Sequence, residues 1–252
     1  MKPRPHPAAQ PHGPIAEVLP DVFFVTGSFR FPGFLPVVIS RNMTIVREGE
    51  RLVLINSVRL SDAGLAELDR LGHVTDVIRL AGNHGSDDPF YKERYGAKVW
   101  ALGEQPYIAG FDLEATPYFE PDHRTDGKHL PLAGARLLTI NSTPEEGLLL
   151  LDRERGILIA GDALQNWATT DAHFNGLGRF VSKRFGFIKP QNIGPGWLRQ
   201  CKPPAGDLRA LLDLPFEHVL PAHGTPVKGN ARELYRSAIE SAATRLERAT
   251  KS

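Results

Sequence analysis

The chain switches repeatedly between two rhythms of apolar and polar residues. "EVLPDVFFVTG" (residues 17–27) reads as a strand, and "MTIVREGERLVLINSV" holds two apolar runs around "REGE", the pattern of a hairpin. "SDAGLAELDRL" then changes to helical spacing, with Ser61 placed to cap the N-terminus and Leu65, Leu68 and Leu71 on one face. "VTDVIRLAG" is a short strand of the fully buried type. "DPFYKERYG" is a short helix with Pro89 in its first turn and Gly96 as its stop, and "KVWAL" is a further strand. The second half repeats the theme. "ARLLTINS" is a strand, "EGLLLLDRERGILIAGD" a hairpin, "GDLRALLDL" a helix, and "EHVLPAHG" a strand that runs into a loop. The chain ends on a long helix, "NARELYRSAIESAATRLERA". There Asn230 and Glu233 have capping-box spacing, and Leu234, Ala238, Ala242 and Leu246 form an apolar stripe.

Strands that come both as hairpins and singly before helices, in both halves, predict mixed sheets covered by helices: a layered α/β sandwich in one domain, residues 15–252. Two stretches fall outside this rhythm. Residues 1–14 carry five prolines and two histidines with almost nothing to pack, and read as a flexible arm. Residues 165–205 are irregular and rich in glycine, proline and aromatics. Trp167, Phe174, Phe180, Phe185, Phe187 and Trp197 are interleaved there with Arg179, Lys183, Arg184 and Lys189. This insert reads either as a lid or pocket wall suited to an anionic or aromatic compound, or as a partly helical segment whose aromatics pack on the sandwich or on a second subunit. Burial is the commoner use of aromatic side chains.

Bulk properties narrow the functional classes. The 252 residues carry a formal net charge of +1, so no overall field draws the chain to nucleic acid or to an anionic membrane. "NGLGRF" and "IGPGW" pair glycines, but neither follows a strand and opens a helix as a dinucleotide site requires. With one cysteine, Cys201, an intramolecular disulfide is impossible, and Cys201 reads as a packing or surface residue. No apolar run is long enough to span a membrane, and the proline-rich start lacks the apolar stretch of a signal peptide. The expectation is a cytoplasmic protein acting on a small-molecule substrate, with neither nucleic acid nor membrane as partner.

Three segments share one form, an apolar strand ending in a polar residue beside glycine: "VIRLAGNH" at His84, "GILIAGD" at Asp162 and "HVLPAHG" at His223. Strand ends are where layered α/β folds gather ligand sites, and Asp and His supply donors suited to zinc, iron or manganese. Each has a plainer reading as a turn former or a hydrogen-bonded core residue.

Taken in order, "NHGSDD", "LLLLDRERGILIAGDAL" and "VLPAHG" resemble the metallo-β-lactamase-fold superfamily over roughly residues 16–245. The resemblance implies a four-layer αββα sandwich of two mixed sheets. It places His84 on the first histidine of the superfamily's His-x-His-x-Asp-His motif, with Ser86 on the second histidine, Asp88 on the aspartate and Pro89 on the last histidine. Asp162 matches the aspartate that bridges two metals, and His223 the final histidine. The loop that should hold a further histidine is "NSTPEEG", where Glu145 or Glu146 is the charged substitute, and Asn56 stands where an aspartate often follows the second strand. What is implied is a reduced site for one divalent ion, zinc first with iron or manganese as alternatives. Its ligands would be His84, Asp88, Asp162 and His223, with Glu145 or Glu146 as a further candidate, and Asp88 and Asp162 would be catalytic. The implied activity is metal-dependent hydrolysis of a small molecule, with water activated at the ion. Two other readings stay open: a catalytically silent relative in which these groups hydrogen-bond one another while the cleft binds a ligand or partner, and a single-iron redox protein.

Overall fold

Successive side chains of a strand point to opposite faces, and in the central strands of this chain both faces are apolar, so both must be covered. The computed structural model describes residues 6–103, 106–107, 117–125, 127 and 129–250. A seven-stranded sheet runs in the order β1 (Ala16–Leu19), β2 (Val22–Arg30), β3 (Val38–Glu48), β4 (Arg51–Ile55), β5 (His73–Arg79), β6 (Lys98–Leu102) and β7 (His123–Thr125). It is antiparallel from β1 to β4 and parallel from β4 to β7. A second sheet holds β8 (Ala135–Ile140), β9 (Glu146–Leu151), β10 (Ile157–Ala160), β13 (His218–Pro221) and β14 (Val227–Lys228), with β10 and β13 parallel. β11 (Leu164–Gln165) and β12 (Asn192–Ile193) form a small pair of their own.

The alternation sorts the core into layers. In β4, Leu52 and Leu54 face α1 (Asp62–Leu71) and α2 (Asp88–Tyr95), meeting Leu65, Leu68 and Tyr91. Val53 and Ile55 face the second sheet, meeting Leu149 and Leu151 of β9 and Ile157 and Ile159 of β10. Leu148, Leu150 and Leu158 point the other way, toward Leu208 of α5 (Ala205–Ala210) and Tyr235 and Ile239 of α6 (Ala231–Thr250). The order helix, sheet, sheet, helix is the expected αββα sandwich. The α1 cap also forms as expected, with the Ser61 hydroxyl accepting from Gly64 N at 3.3 Å.

Four local expectations change. Residues 17–27 are not one strand. Pro20 and Asp21, the latter at φ 59°, make the turn between β1 and β2. The capping box at α6 does not form: Asn230 is left-handed at φ 53° and its N–H goes to Glu217 Oε1 at 2.7 Å. The buried stripe of α6 runs through Ala231, Tyr235, Ile239, Ala242 and Ala243, which leaves Leu234 exposed. Tyr235 and Ile239 bring more surface into the core than Leu234 would, and the Tyr235 hydroxyl also reaches Gln165 O at 3.0 Å.

The fourth change is the proline-rich arm, which is laid down on the body from His6 onward. Gly13 N donates to Thr26 O and Ser28 N to Pro11 O, each at 2.8 Å. His12 donates from Nδ1 to Gly13 O at 2.7 Å and accepts Ser61 N at Nε2 at 2.9 Å, so a single neutral tautomer serves both. His6 meets Glu93 at 2.8 Å. Composition hid this because the arm docks through its backbone and two imidazoles rather than through apolar side chains.

Gly64 makes the docking possible, because a Cβ there would stand 2.6 Å from His12 Cε1. Gly64→Ala should favour the helix slightly while displacing the arm. We expect amide exchange at Gly13 and Ser28, followed by NMR, to accelerate at least about tenfold with α1 protection unchanged. Unaltered exchange at those two amides would contradict the docked arm.

Candidate metal centre

The three polar strand ends arrive from both sheets. His84 lies in the loop after β5, Asp162 in the turn after β10, and His223 in the loop after β13. One ligand atom from each lies within 4.8 Å of the other two. Asp162 Oδ1 is 3.1 Å from His223 Nε2 and 3.4 Å from His84 Nε2. The imidazole centroids are 5.3 Å apart.

The shell behind these groups fixes their direction. His223 donates from Nδ1 to the Ser40 carbonyl at 3.1 Å, which turns Nε2 toward Asp162. The Trp167 ring lies against His223 at 4.9 Å, and its Nε1 donates to Ser40 Oγ at 2.9 Å. Gly224 follows His223 at φ 95°, where a side chain would run into the backbone of Asn166 and Trp167. Asn42 Nδ2 donates to Pro221 O at 2.9 Å and Gly224 O at 2.6 Å, clamping the His223 loop to β3.

Burial alone would raise the Asp162 carboxyl. The charge of His84 and the hydrogen bonds from His223 and His84 outweigh it and hold that carboxyl well below the usual carboxylate range. Behind it, Glu146 Oε1 accepts Ala163 N at 2.9 Å and so pins the turn that carries Asp162. Burial, then the negative charge of Asp162, push the Glu146 carboxyl well above its ordinary value. Glu146 therefore supports the cluster from beneath, and it is not among the atoms that converge. Glu145 turns elsewhere, toward Gly103.

Asp88 does not join the cluster either. Its Oδ1 accepts the Ser57 hydroxyl and its Oδ2 the Tyr107 hydroxyl, each at 2.6 Å, in complete burial. That burial raises its carboxyl despite both hydrogen bonds and the charge of Arg79. The side chain that the motif suggests as a ligand links Ser57, just past β4, with the start of α2 and Tyr107. Ser86 accepts Arg41 Nη1 at 3.2 Å, and Arg41 pairs with the buried Asp87. Pro89 sits in the first turn of α2. Asn56 accepts Leu80 N at 3.1 Å and donates to Ala160 O at 3.2 Å, spanning the two sheets beneath the cluster.

The cluster opens into a cavity of about 190 Å³ walled in part by Phe29, Phe31, Arg41, Trp167, Phe187 and Trp197. A wider hollow of about 670 Å³ adjoins it across Phe29, Arg41, Asn83 and His84, and the docked arm forms part of its far side. The aromatic insert thus both packs and walls the site: Trp167 and Phe174 are buried against Ile39. Cys201 is buried behind the site, and burial together with the charges of Glu146 and Asp162 pushes its thiol up to about 12. Ser40 and Asn42 escaped the sequence reading. Their signal is the polar run "SRN" between the apolar pairs Val38–Ile39 and Ile45–Val46 of β3, where every one of the three is buried.

Neither a protein-family model nor a curated protein matches the sequence. Solved structures do match the fold. A metallo-β-lactamase from Hirschia baltica aligns with 18% identity and a TM-score of 0.58, over 92% of this chain and 98% of that one. The metallo-β-lactamase FIM-1 from Pseudomonas aeruginosa, solved in a mono-zinc form, gives 14% and 0.58 over 95% and 99%. DIM-1 metallo-β-lactamase exposed to ceftazidime gives 13% and 0.59 over 94% and 99%. The chain has the metallo-β-lactamase fold.

If Asp88 is a clasp and not a ligand, Asp88→Ala leaves the Ser57 and Tyr107 hydroxyls unpaired in the core. It should lower the free energy of unfolding by about 2 to 4 kcal/mol in denaturant titration. The zinc stoichiometry of the folded variant should equal that of the wild type, and a variant that folds normally but loses zinc would restore Asp88 as a ligand.

Proposed function

We propose that the chain is a hydrolase of a small molecule that works with one divalent ion, held by His84, Asp162 and His223. One observation carries the reading. His223 spends its Nδ1 proton on the Ser40 carbonyl, so its Nε2 faces the Asp162 carboxylate either as a second donor, in the charged imidazolium, or as a bare lone pair. His84 brings another ring nitrogen to the same carboxylate oxygen. A divalent cation among two imidazole nitrogens and one carboxylate oxygen satisfies all three groups at once, and this donor set suits zinc while leaving a position open. When bound, such an ion lowers the pKa of a water toward neutrality and polarises an oxygen of the substrate.

The chain's own contribution is placement. The Ser40 carbonyl and the Trp167 ring hold the His223 imidazole. Glu146 holds the turn on which Asp162 stands, and Asn42 and Asn56 hold the loops against each other. Phe29, Phe31, Phe187 and Trp167 make the cavity largely aromatic, so water is limited to the polar floor and a substrate's apolar part has walls to lie against.

Untagged protein should carry close to one equivalent of zinc by elemental analysis. Added zinc at about a hundred times its Kd should stabilise the chelator-treated protein by roughly 2.7 kcal/mol, a rise of about 5–10 °C in Tm. Asp162→Ala and His223→Ala should abolish both the zinc and the shift. Metal-free wild type with no response to zinc, iron or manganese would overturn the proposal and leave the three groups as a hydrogen-bonded network in a silent relative. Coloured, iron-loaded protein whose spectrum changes on oxidation would point to redox chemistry instead.

A further inference from the structure

Charge along this chain is segregated in a way that its net value conceals. From Ala172 to Gly206 there are six Lys and Arg residues and no Asp or Glu, which leaves the remainder of the chain net acidic. From Val22 to Arg47 there is again no acid. The structure brings these two stretches together. Asn175 caps α3 (Gly176–Arg184) and ties it to the end of the β2–β3 hairpin: its Nδ2 donates to Pro36 O at 2.5 Å and its Oδ1 accepts Val38 N at 3.2 Å.

The surface so formed carries large apolar side chains in the open. Phe34 is 99% exposed and Leu35 61% at the hairpin tip, between Pro32 and Pro36, and Phe180 of α3 is 67% exposed. Phe185, just past the helix, is 48% exposed, with the Arg184 guanidinium 6.0 Å from its ring. Arg179, Lys183, Arg184 and Lys189 are exposed around them. Protruding apolar tips ringed by long cationic side chains are what an interfacial contact with a bilayer requires: the apolar groups enter the headgroup boundary while Lys and Arg meet lipid phosphates.

We infer that this surface, the hairpin tip Phe34–Leu35 with α3 and Phe185, docks the protein on an anionic lipid bilayer. A second copy of the chain fits less well, since a two-fold contact would set cation against cation. Single-stranded nucleic acid calls for a groove of stacking rings, whereas Phe34 and Leu35 stand on a convex tip. The docked face also meets the candidate metal centre. Phe31 lies three residues before Phe34 and Phe187 two after Phe185, and both wall the smaller cavity, so the bilayer would lie close to its mouth. The inference does not depend on metal or on hydrolysis.

Vesicle flotation of the full-length protein tests it. Vesicles of phosphatidylcholine with about one-third phosphatidylglycerol should carry the protein at low salt, and pure phosphatidylcholine vesicles should not. Binding should fall in 0.5 M salt, where screening is shorter-ranged. Lys183→Gln with Arg184→Gln should weaken partition about 25-fold, or fivefold per cation. Phe34→Ser with Leu35→Ser should weaken it at least about tenfold. All four positions are exposed, so Tm should not move. No flotation with anionic vesicles, or flotation unchanged in both double variants, would overturn the inference. So would concentration-dependent dimerisation that the Phe34–Leu35 variant abolishes, or a single-stranded oligonucleotide that binds the same cations more tightly than the vesicles do.

Discussion

A sandwich of two sheets buries backbone as well as side chains, and the polar ends of its strands must find partners across the gap. Two asparagines meet that demand here. Asn56, left-handed at φ 53° at the end of β4, accepts from Leu80 after β5 and donates to Ala160 at the end of β10. Asn42, inside β3, donates to Pro221 and Gly224 on either side of the His223 loop, and its own N–H goes to Ala222 O at 2.8 Å. His84, Asp162 and His223 each lie within a few residues of one of these ties. The apolar interface between the sheets sets how far apart they stand. The asparagines set which strand ends oppose one another, and the convergence of the three ligand atoms within 4.8 Å follows from that.

The layers are legible because the apolar runs are continuous. The runs "RLVLI", "EGLLLL" and "GILIA" can be buried only on two faces, and a strand buried on two faces needs a second layer on each side. His84, Asp162 and His223 are legible for a related reason, since each stands in the polar turn that ends such a run, beside a glycine. The partners that aim them are not. Ser40 acts through its carbonyl, which every residue owns, and the imidazole–Asp162 geometry depends on loops from both sheets. Leu234 lies off the buried stripe because Tyr235 and Ile239, one position over, bring more apolar surface into the core that α6 shares with Leu208 of α5 and Ile193 of β12.

Average quantities conceal local arrangement in two places. A net charge of +1 is a sum in which the cations of residues 172–206 offset the acids elsewhere. Electrostatic attraction at close range responds to the local arrangement, because at physiological salt screening cuts off interactions beyond about 8 Å. The composition of residues 1–14 predicts an unpacked arm. Yet His12 satisfies Ser61 N–H and Gly13 O, and with the backbone bonds of Gly13 and Pro11 it lays the segment on the body.

In the stretch "NHGSDDPFY" most polar side chains are held by partners within the fold. Gly85, at φ 91°, lets the loop turn, and a Cβ there would meet Asp88 Oδ2 at 2.7 Å. Asp87 accepts Arg59 N at 2.7 Å and pairs with Arg41, which also reaches Ser86. Asp88 is held between Ser57 and Tyr107. Two buried carboxylates therefore anchor this loop: Asp87 through Oδ2 to Arg59 N and Arg41, and Asp88 through both of its oxygens. Only His84 is directed at Asp162 and His223. A loop so thoroughly bound to its own scaffold does not need a metal to hold its shape, which separates the two demands on it. Asp87 and Asp88 tie the loop to its scaffold, and His84 is the residue of this stretch that meets Asp162 beside His223.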